Sequence, residues 1–202
     1  MTVLDRLSKR QRRIYDLLQI TRCMHVEQAA ALNQDASFNG KTDRDILALK
    51  KKSLAFSDRD YLLATPRDEK DQDMEDALWI MLRQVANVPI SQVYRPEEPA
   101  VLGFVKPDCC YEILVDRRDL EPDIKINTLH ELEKKFQDQQ KSKKDDFMRY
   151  LYVVRDTSFQ QWFPKKLNLP YIIVLESYLG ENGEVLKRPT LKFFYPKGEI
   201  HD

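Results

Sequence analysis

The chain is short of several things that would settle its function quickly. It has 202 residues, of which only five are glycine, three cysteine and three histidine. No apolar run reaches 18 residues, so no segment is read as a membrane-spanning helix. The amino-terminal MTVLDRLSKRQRR is charged and holds no apolar segment, so it is not read as a secretory signal. Three cysteines, two of them adjacent (Cys109 and Cys110), do not make a disulfide framework, and the expected setting is reducing and cytoplasmic. The vicinal pair is read as two small apolar residues on a buried strand, with a redox-active pair as the alternative. His25, His130 and His201 are scattered, with no cysteine or carboxylate at ligand spacing, so no zinc site and no cofactor are expected. No Ser-His-Asp or Cys-His pairing stands out from such positions. Gly40–Lys41–Thr42 has the form of a phosphate-loop ending. Asp35 stands where the first glycine is needed, and no strand is predicted before it, which excludes nucleotide binding there.

Net charge is absent too: 33 basic residues balance 33 acidic ones. The distribution is uneven. Residues 1–67 carry 13 Lys/Arg against 8 Asp/Glu, residues 68–100 carry 3 against 8, and residues 101–202 carry 17 of each. A basic front end followed by an acidic segment creates a local potential that the total conceals. An excess of five is modest for contact with a polyanion, so tight binding of that kind is expected of a dimer. About 42% apolar and 33% charged residues suit a folded chain.

Periodicity predicts a helix over 5–20, with Leu7, Ile14, Leu17 and Leu18 on one face and Lys9, Arg10, Arg12 and Arg13 mostly off it. A short helix follows at 25–32, where Val26, Ala29 and Ala30 line one side and no strong cap marks the start. Asn33 to Gly40 is turn-like and longer than the tightest helix-turn-helix connection. A third helix is predicted over 41–52, capped by Asn39 or by Thr42 with Asp45 three residues on. Ile46 and Leu49 point inward, with Leu54 just beyond the end. Lys41, Arg44, Ala48 and Lys51 form an outward ridge, basic groups around a small alanine, which suits a helix lying in a major groove. Lys50–Lys51–Lys52 also complements the helix dipole. Two short strands, Leu54–Ser57 and Tyr61–Thr65, then flank Asp58–Arg59–Asp60.

Three helices followed by a hairpin make residues 5–65 resemble a winged helix-turn-helix. The resemblance implies that the third helix reads double-stranded DNA through Lys41, Arg44, Ala48, Lys51 and Lys52, and that Arg59 on the wing touches the backbone or minor groove. Residues 68–87 are predicted to be a helix, acidic at its start and apolar on most sides later. It is expected to pack between domains or to pair with its copy in a homodimer. Pro89, Pro96 and Pro99 punctuate a connection.

From residue 100 strands dominate. Val101–Lys106 and Tyr111–Asp116 read as a hairpin turning at Pro107–Asp108, residues 127–140 as a helix, and Leu151–Val154 as a buried strand. A helical turn is expected at 157–163, then strands at Tyr171–Glu176 and Val185–Tyr195, with Pro189 placing the last at an edge or bulge. Phe159, Trp162 and Phe163 are read as core, with base stacking as the alternative. The expected architecture is α+β: a winged helix-turn-helix at 1–67, a connecting helix and linker at 68–99, and a small α/β sandwich at 100–202.

The order of elements in that sandwich resembles restriction-endonuclease-like folds, which hold Mg²⁺ with an Asp at a strand end and an acidic-x-Lys on the next strand. Asp108 supplies the first, but Glu112–Ile113–Leu114 has leucine at the lysine position. Asp123–Ile124–Lys125 falls in an expected loop and Glu133–Lys134–Lys135 on a helix. A degenerate, non-enzymatic scaffold is the expectation, with a metal-dependent nuclease and a protein-protein interaction module as alternatives. In domain order and size the whole chain is similar to replication-relaxation-type proteins and related families carried on plasmids and conjugative elements of Gram-positive bacteria. That similarity implies a DNA-binding protein of a mobile genetic element, a replication accessory or transcriptional regulator.

Overall fold

The computed structural model describes residues 2–35, 40–84, 89–107, 109–141, 148–180 and 182–194. It is a mixed α+β structure that divides into two compact units, Met1–Arg95 and Pro96–Asp202.

The first unit begins with a 3-10 turn at Leu4–Arg6 and then α1 (Lys9–Thr21). The expected helix over 5–20 therefore starts later. Ser8 stops it from extending backwards by capping: its hydroxyl accepts from Gln11 N, and the Gln11 side chain accepts from Ser8 N, each at 3.2 Å. β1 (Cys23–His25) follows, a strand not expected from the sequence, and then α2 (Val26–Leu32). α2 does have a cap. His25 Nδ1 accepts from Glu27 N at 3.2 Å, and the Gln28 side chain accepts from His25 N at 2.9 Å.

α3 (Gly40–Lys51) starts earlier than expected. Asn39, one of the expected caps, lies outside the described residues. Thr42, the other, is fully buried within the first turn of the helix and does not precede it as a cap would. Helices α2 and α3 both end on a left-handed residue. After α3, Ser53 has φ 55°, Ser53 N donates to Lys50 O, and Leu54 N donates to Leu49 O. After α2, Gln34 has φ 61°, with Gln34 N on Ala31 O and Asp35 N on Ala30 O. Each pair of bonds satisfies carbonyls that the helix end would leave open.

β2 (Phe56–Asp58) and β3 (Tyr61–Leu63) form a hairpin, and β1 adds to its other side in the order β1-β3-β2, all antiparallel. α4 (Gln72–Gln84) completes the unit. The sequence places this helix at 68–87. Asp71 caps it by accepting from Met74 N at 3.0 Å, and Asp68 is engaged earlier by Thr65 and Arg22. Residues 85–87 lie outside the described residues. α4 packs against α2 and β1: Gln28 Nε2 donates to Glu75 O at 2.7 Å, and Tyr61 Oη donates to Glu75 Oε2 at 2.6 Å. Burial, reinforced by that carboxylate, raises the Tyr61 pKa. Met74, Ala77, Leu78, Trp79, Ile80 and Met81 are buried within the single chain. The connecting helix of the expected 68–99 linker thus falls inside the first unit.

One side chain ties the first three α-helices of this unit together. Arg10 was expected to lie mostly off the packed face of α1. Instead its guanidinium contacts Asp45 (Nε–Oδ2 2.7 Å), Asp35 (2.6 and 3.3 Å), Thr42 Oγ1 (3.2 Å) and Asn33 O (3.3 Å). The Thr42 hydroxyl also donates to Asp35. These bonds span α1, the segment after α2, and α3. Hydrogen bonds from Arg10 first, then Thr42, hold the Asp35 carboxyl below its ordinary pKa. The surrounding core is Ile14, Leu17, Leu18, Leu49 and Leu62, all inaccessible. Each such side chain contributes about 1.5–3 kcal/mol of burial.

In the second unit, β5 (Leu102–Lys106) pairs antiparallel with β6 (Cys109–Val115). β6 pairs parallel with β7 (Met148–Val154), β7 parallel with β8 (Tyr171–Leu179), and β8 antiparallel with β9 (Val185–Phe194). A two-residue strand, β4 (Val93–Tyr94), precedes them in sequence. α5 (Pro122–Lys141) makes the crossover that parallel β6 and β7 require. It begins five residues before the expected start. Proline fits the first turn of a helix, where no amide is needed, so Pro122 opens α5 where the sequence reading placed a loop. Leu129 and Leu132 of α5 pack on Leu114, Tyr150, Tyr152, Val154 and Ile173, with Phe159 and Leu169. At the head of α5, Lys125 makes a shielded ion pair with Asp116 at 2.8 Å.

Arg10→Ala is expected to lower stability by about 2 kcal/mol, because it takes the cation from two shielded carboxylates; one third of Arg10 is exposed, which keeps the loss below that of a fully buried pair. Arg12→Ala, which breaks an exposed i,i+4 pair with Asp16 one turn away, is expected to leave stability almost unchanged. Urea denaturation of both variants checks the contrast. The Asp35 contribution also has a pH signature. Its folded pKa is depressed, so the stabilisation is whole above the ordinary value of 3.8 and is lost as pH falls through the lower folded value. Stability measured between pH 5 and pH 2 should fall less steeply in Arg10→Ala than in the natural chain.

Candidate nucleic-acid interface

α3 presents two different sides. Thr42, Ile46 and Leu49 are at most 5% exposed and face the unit's interior. At 100° per residue the opposite side is centred on Gly40, Arg44, Leu47 and Lys51, with Lys41, Asp43, Ala48 and Lys50 around them. Of the residues read as an outward ridge, Lys41, Arg44 and Lys51 are exposed, and Ala48 is half-buried at the margin. Arg44 Nε donates to Gly40 O of its own helix at 2.7 Å. Among the described residues, Lys41, Arg44 and Lys51 make no ion pair. Among the described residues Lys41 lies near enough to Asp35 to help lower that carboxyl's pKa, and Arg44 and Lys51 are left without a paired carboxylate. The acidic residues of the helix are divided in role: Asp45 is turned inward to Arg10, and Asp43 remains outside in the first turn, where the helix dipole favours it.

Lys52 is placed differently from the rest. It is half-buried past the helix end, and its ammonium approaches Arg6 O at 3.4 Å. Lys50, not among the expected contacts, donates to Ser57 Oγ at 2.8 Å and so braces the hairpin against α3. At the hairpin tip, Asp58 pairs with Tyr61, leaving a two-residue turn of Arg59 and Asp60. Arg59 is exposed, has φ 50°, and stands between two exposed aspartates. Asp60 O accepts from Val26 N at 2.9 Å, which fixes the turn to the start of α2. The sequence reading missed Leu47, which is 46% exposed in the centre of the outer side. Its spacing from Arg44 (i+3) and Lys51 (i−4) was the available signal.

The other candidate chemistry is dispersed. On β6, Glu112 is half-buried and Leu114 is 3% exposed, so the position that a nuclease fills with lysine holds a core leucine. Asp108 lies outside the described residues. Asp123 and Lys125 belong to α5, and Lys125 is occupied by Asp116. Glu133 accepts from Asn168 N at 2.6 Å and contacts His130, which ties α5 to the segment before β8 and lowers its pKa. Among the described residues no group of three His, Cys, Asp or Glu is placed to hold a metal. Thr42 of the Gly40–Lys41–Thr42 string is committed to Arg10 and Asp35. Phe159 and Phe163 pack edge-on in the second unit's core, and Trp162 meets Tyr152 at 6.2 Å. His25 caps α2 and meets the Tyr61 ring at 5.2 Å, and His201 lies outside the described residues. No described helix is long and apolar enough to cross a membrane. Searches against protein-family models, curated proteins and solved structures find no match to this chain.

The tip geometry can be separated from any contact it makes. Arg59→Gly removes a side chain from a left-handed backbone position and is expected to raise stability by up to about 1 kcal/mol. Arg59→Val, β-branched, is expected to lower it. Thermal unfolding of the two variants gives opposite shifts if the turn is as described.

Proposed function

We propose that the first unit is a winged helix-turn-helix that binds double-stranded DNA by laying α3 in the major groove. The observation that carries this reading is the outer side of α3, where Arg44, Lys51 and Lys41 are exposed and make no ion pair among the described residues. The element order α1-β1-α2-α3-β2-β3, with the first strand beside the hairpin, supports it. Arg44 and Lys51 sit about 10 Å apart along the helix, seven residues at 1.5 Å each, which spans about three base steps. Arg59 projects from the hairpin as the wing contact. Its flanking aspartates make it a weaker phosphate ligand than an all-basic tip, and Lys52, tethered near Arg6, contributes less than the helix face.

Five net positive charges over residues 1–67 favour two copies of the unit on DNA for tight binding. The second unit is read as a non-enzymatic scaffold, since Leu114 fills the position where a nuclease of the resembled fold carries lysine. The similarity in domain order to replication-relaxation-type proteins supports a role as a replication accessory or regulator of a mobile element in the cytoplasm.

Duplex binding is expected to weaken steeply between 50 and 200 mM salt, as phosphate-directed binding does. The double substitution Arg44→Ala with Lys51→Ala should abolish a measurable shift at low salt while leaving thermal stability nearly unchanged. A double variant that binds as the natural chain does removes α3 from the interface.

A further inference from the structure

We propose that Leu47 determines specificity on this face by packing against the C5-methyl group of a pyrimidine in the major groove; the inference rests on the reading of α3 as the DNA-facing helix. A single exposed leucine is ordinary on a protein surface. The position of this one is what carries weight. Gly40, Arg44, Leu47 and Lys51 fall along one line at i, i+4, i+7 and i+11, directly opposite the buried Thr42, Ile46 and Leu49. Leu47 is the one large apolar group on that line, with a cation three residues before it and another four residues after it. Among the described residues of the first unit, Val3 near the amino terminus is the only other large apolar side chain exposed to this degree.

The neighbours leave Leu47 open. Arg44 Nε is drawn back to Gly40 O at 2.7 Å, toward the start of the helix and away from the leucine. Among the described residues nothing lies within 4 Å of the place a Cβ would occupy at Gly40. A side chain of this type cannot satisfy donors or acceptors on a base edge. In the major groove of unmodified DNA the one projecting apolar group on a base edge is the thymine C5-methyl. Cations on either side suit phosphates or guanine, and the leucine between them suits a methyl group. Thymine supplies that methyl in unmodified DNA, and 5-methylcytosine supplies the same group in modified DNA.

The test uses the full chain and a duplex selected from a randomised pool, with binding followed by fluorescence anisotropy. Replacing each thymine of the selected duplex in turn by uracil removes only the methyl. One such replacement is expected to weaken binding about fourfold, the effect of one buried methyl-sized group. A 5-methylcytosine at that position, with its guanine partner, should bind better than unmodified cytosine there. Leu47→Ala should bind the thymine and uracil duplexes equally and unfold at the same temperature as the natural chain. Equal binding of all uracil duplexes by the natural chain, or undiminished methyl discrimination in Leu47→Ala, overturns the inference while leaving DNA binding standing. A natural chain that selects no duplex at all overturns both.

Discussion

The guanidinium of Arg10 is the constraint on which the first unit depends. It reaches from α1 to the segment after α2 and to α3, and it engages Asp35, Asp45, Thr42 and Asn33 O together. A planar, permanently charged fork can do this where an ammonium cannot. Its effect is to fix the rotation of α3 about its own axis. With Asp45 and Thr42 turned inward, the opposite side, carrying Arg44, Leu47 and Lys51, has to face away from the core. The exposure of the cationic side therefore follows from a polar interaction as much as from the burial of Ile46 and Leu49.

That arrangement also sorts the charges. α3 contains two aspartates and four basic residues. Pairing Asp45 with Arg10 removes one negative charge from the vicinity of the outer face, and in exchange uses a cation that belongs to another helix. The outer face is consequently more basic than the composition of the helix suggests. The hairpin is held to the same frame at two points, by Lys50 on Ser57 and by Val26 N on Asp60 O, so its tip keeps a defined place relative to α3.

The helices and the hairpin of this unit were legible because their apolar spacing is regular. Other features were not. β1 is three residues long and sits between two helices, too short for an alternating pattern to register. The role of Arg10 depends on partners 25 and 35 residues away, and nothing local distinguishes it from Arg12 or Arg13. Pro122 reads equally as a loop residue or as the first residue of a helix, and only the Leu129 and Leu132 packing beyond it decides. Of the expected interface, Lys41, Arg44, Lys51 and Arg59 are where the spacing put them, on the surface. Leu47 was overlooked because apolar residues in a helix are assumed to face inward. Two positions before Leu49, it lies roughly 160° around the helix from that residue.

Whether DNA is held on the outer side of α3 can be read by titrating a short duplex into the isotopically labelled full chain and following backbone amide resonances. Amides of Lys41 to Lys51 and of Asp58 to Asp60 are expected to shift together at low salt, and the shifts to reverse when salt is raised. Shifts confined to the second unit, or none under conditions where the duplex demonstrably binds, would contradict that placement.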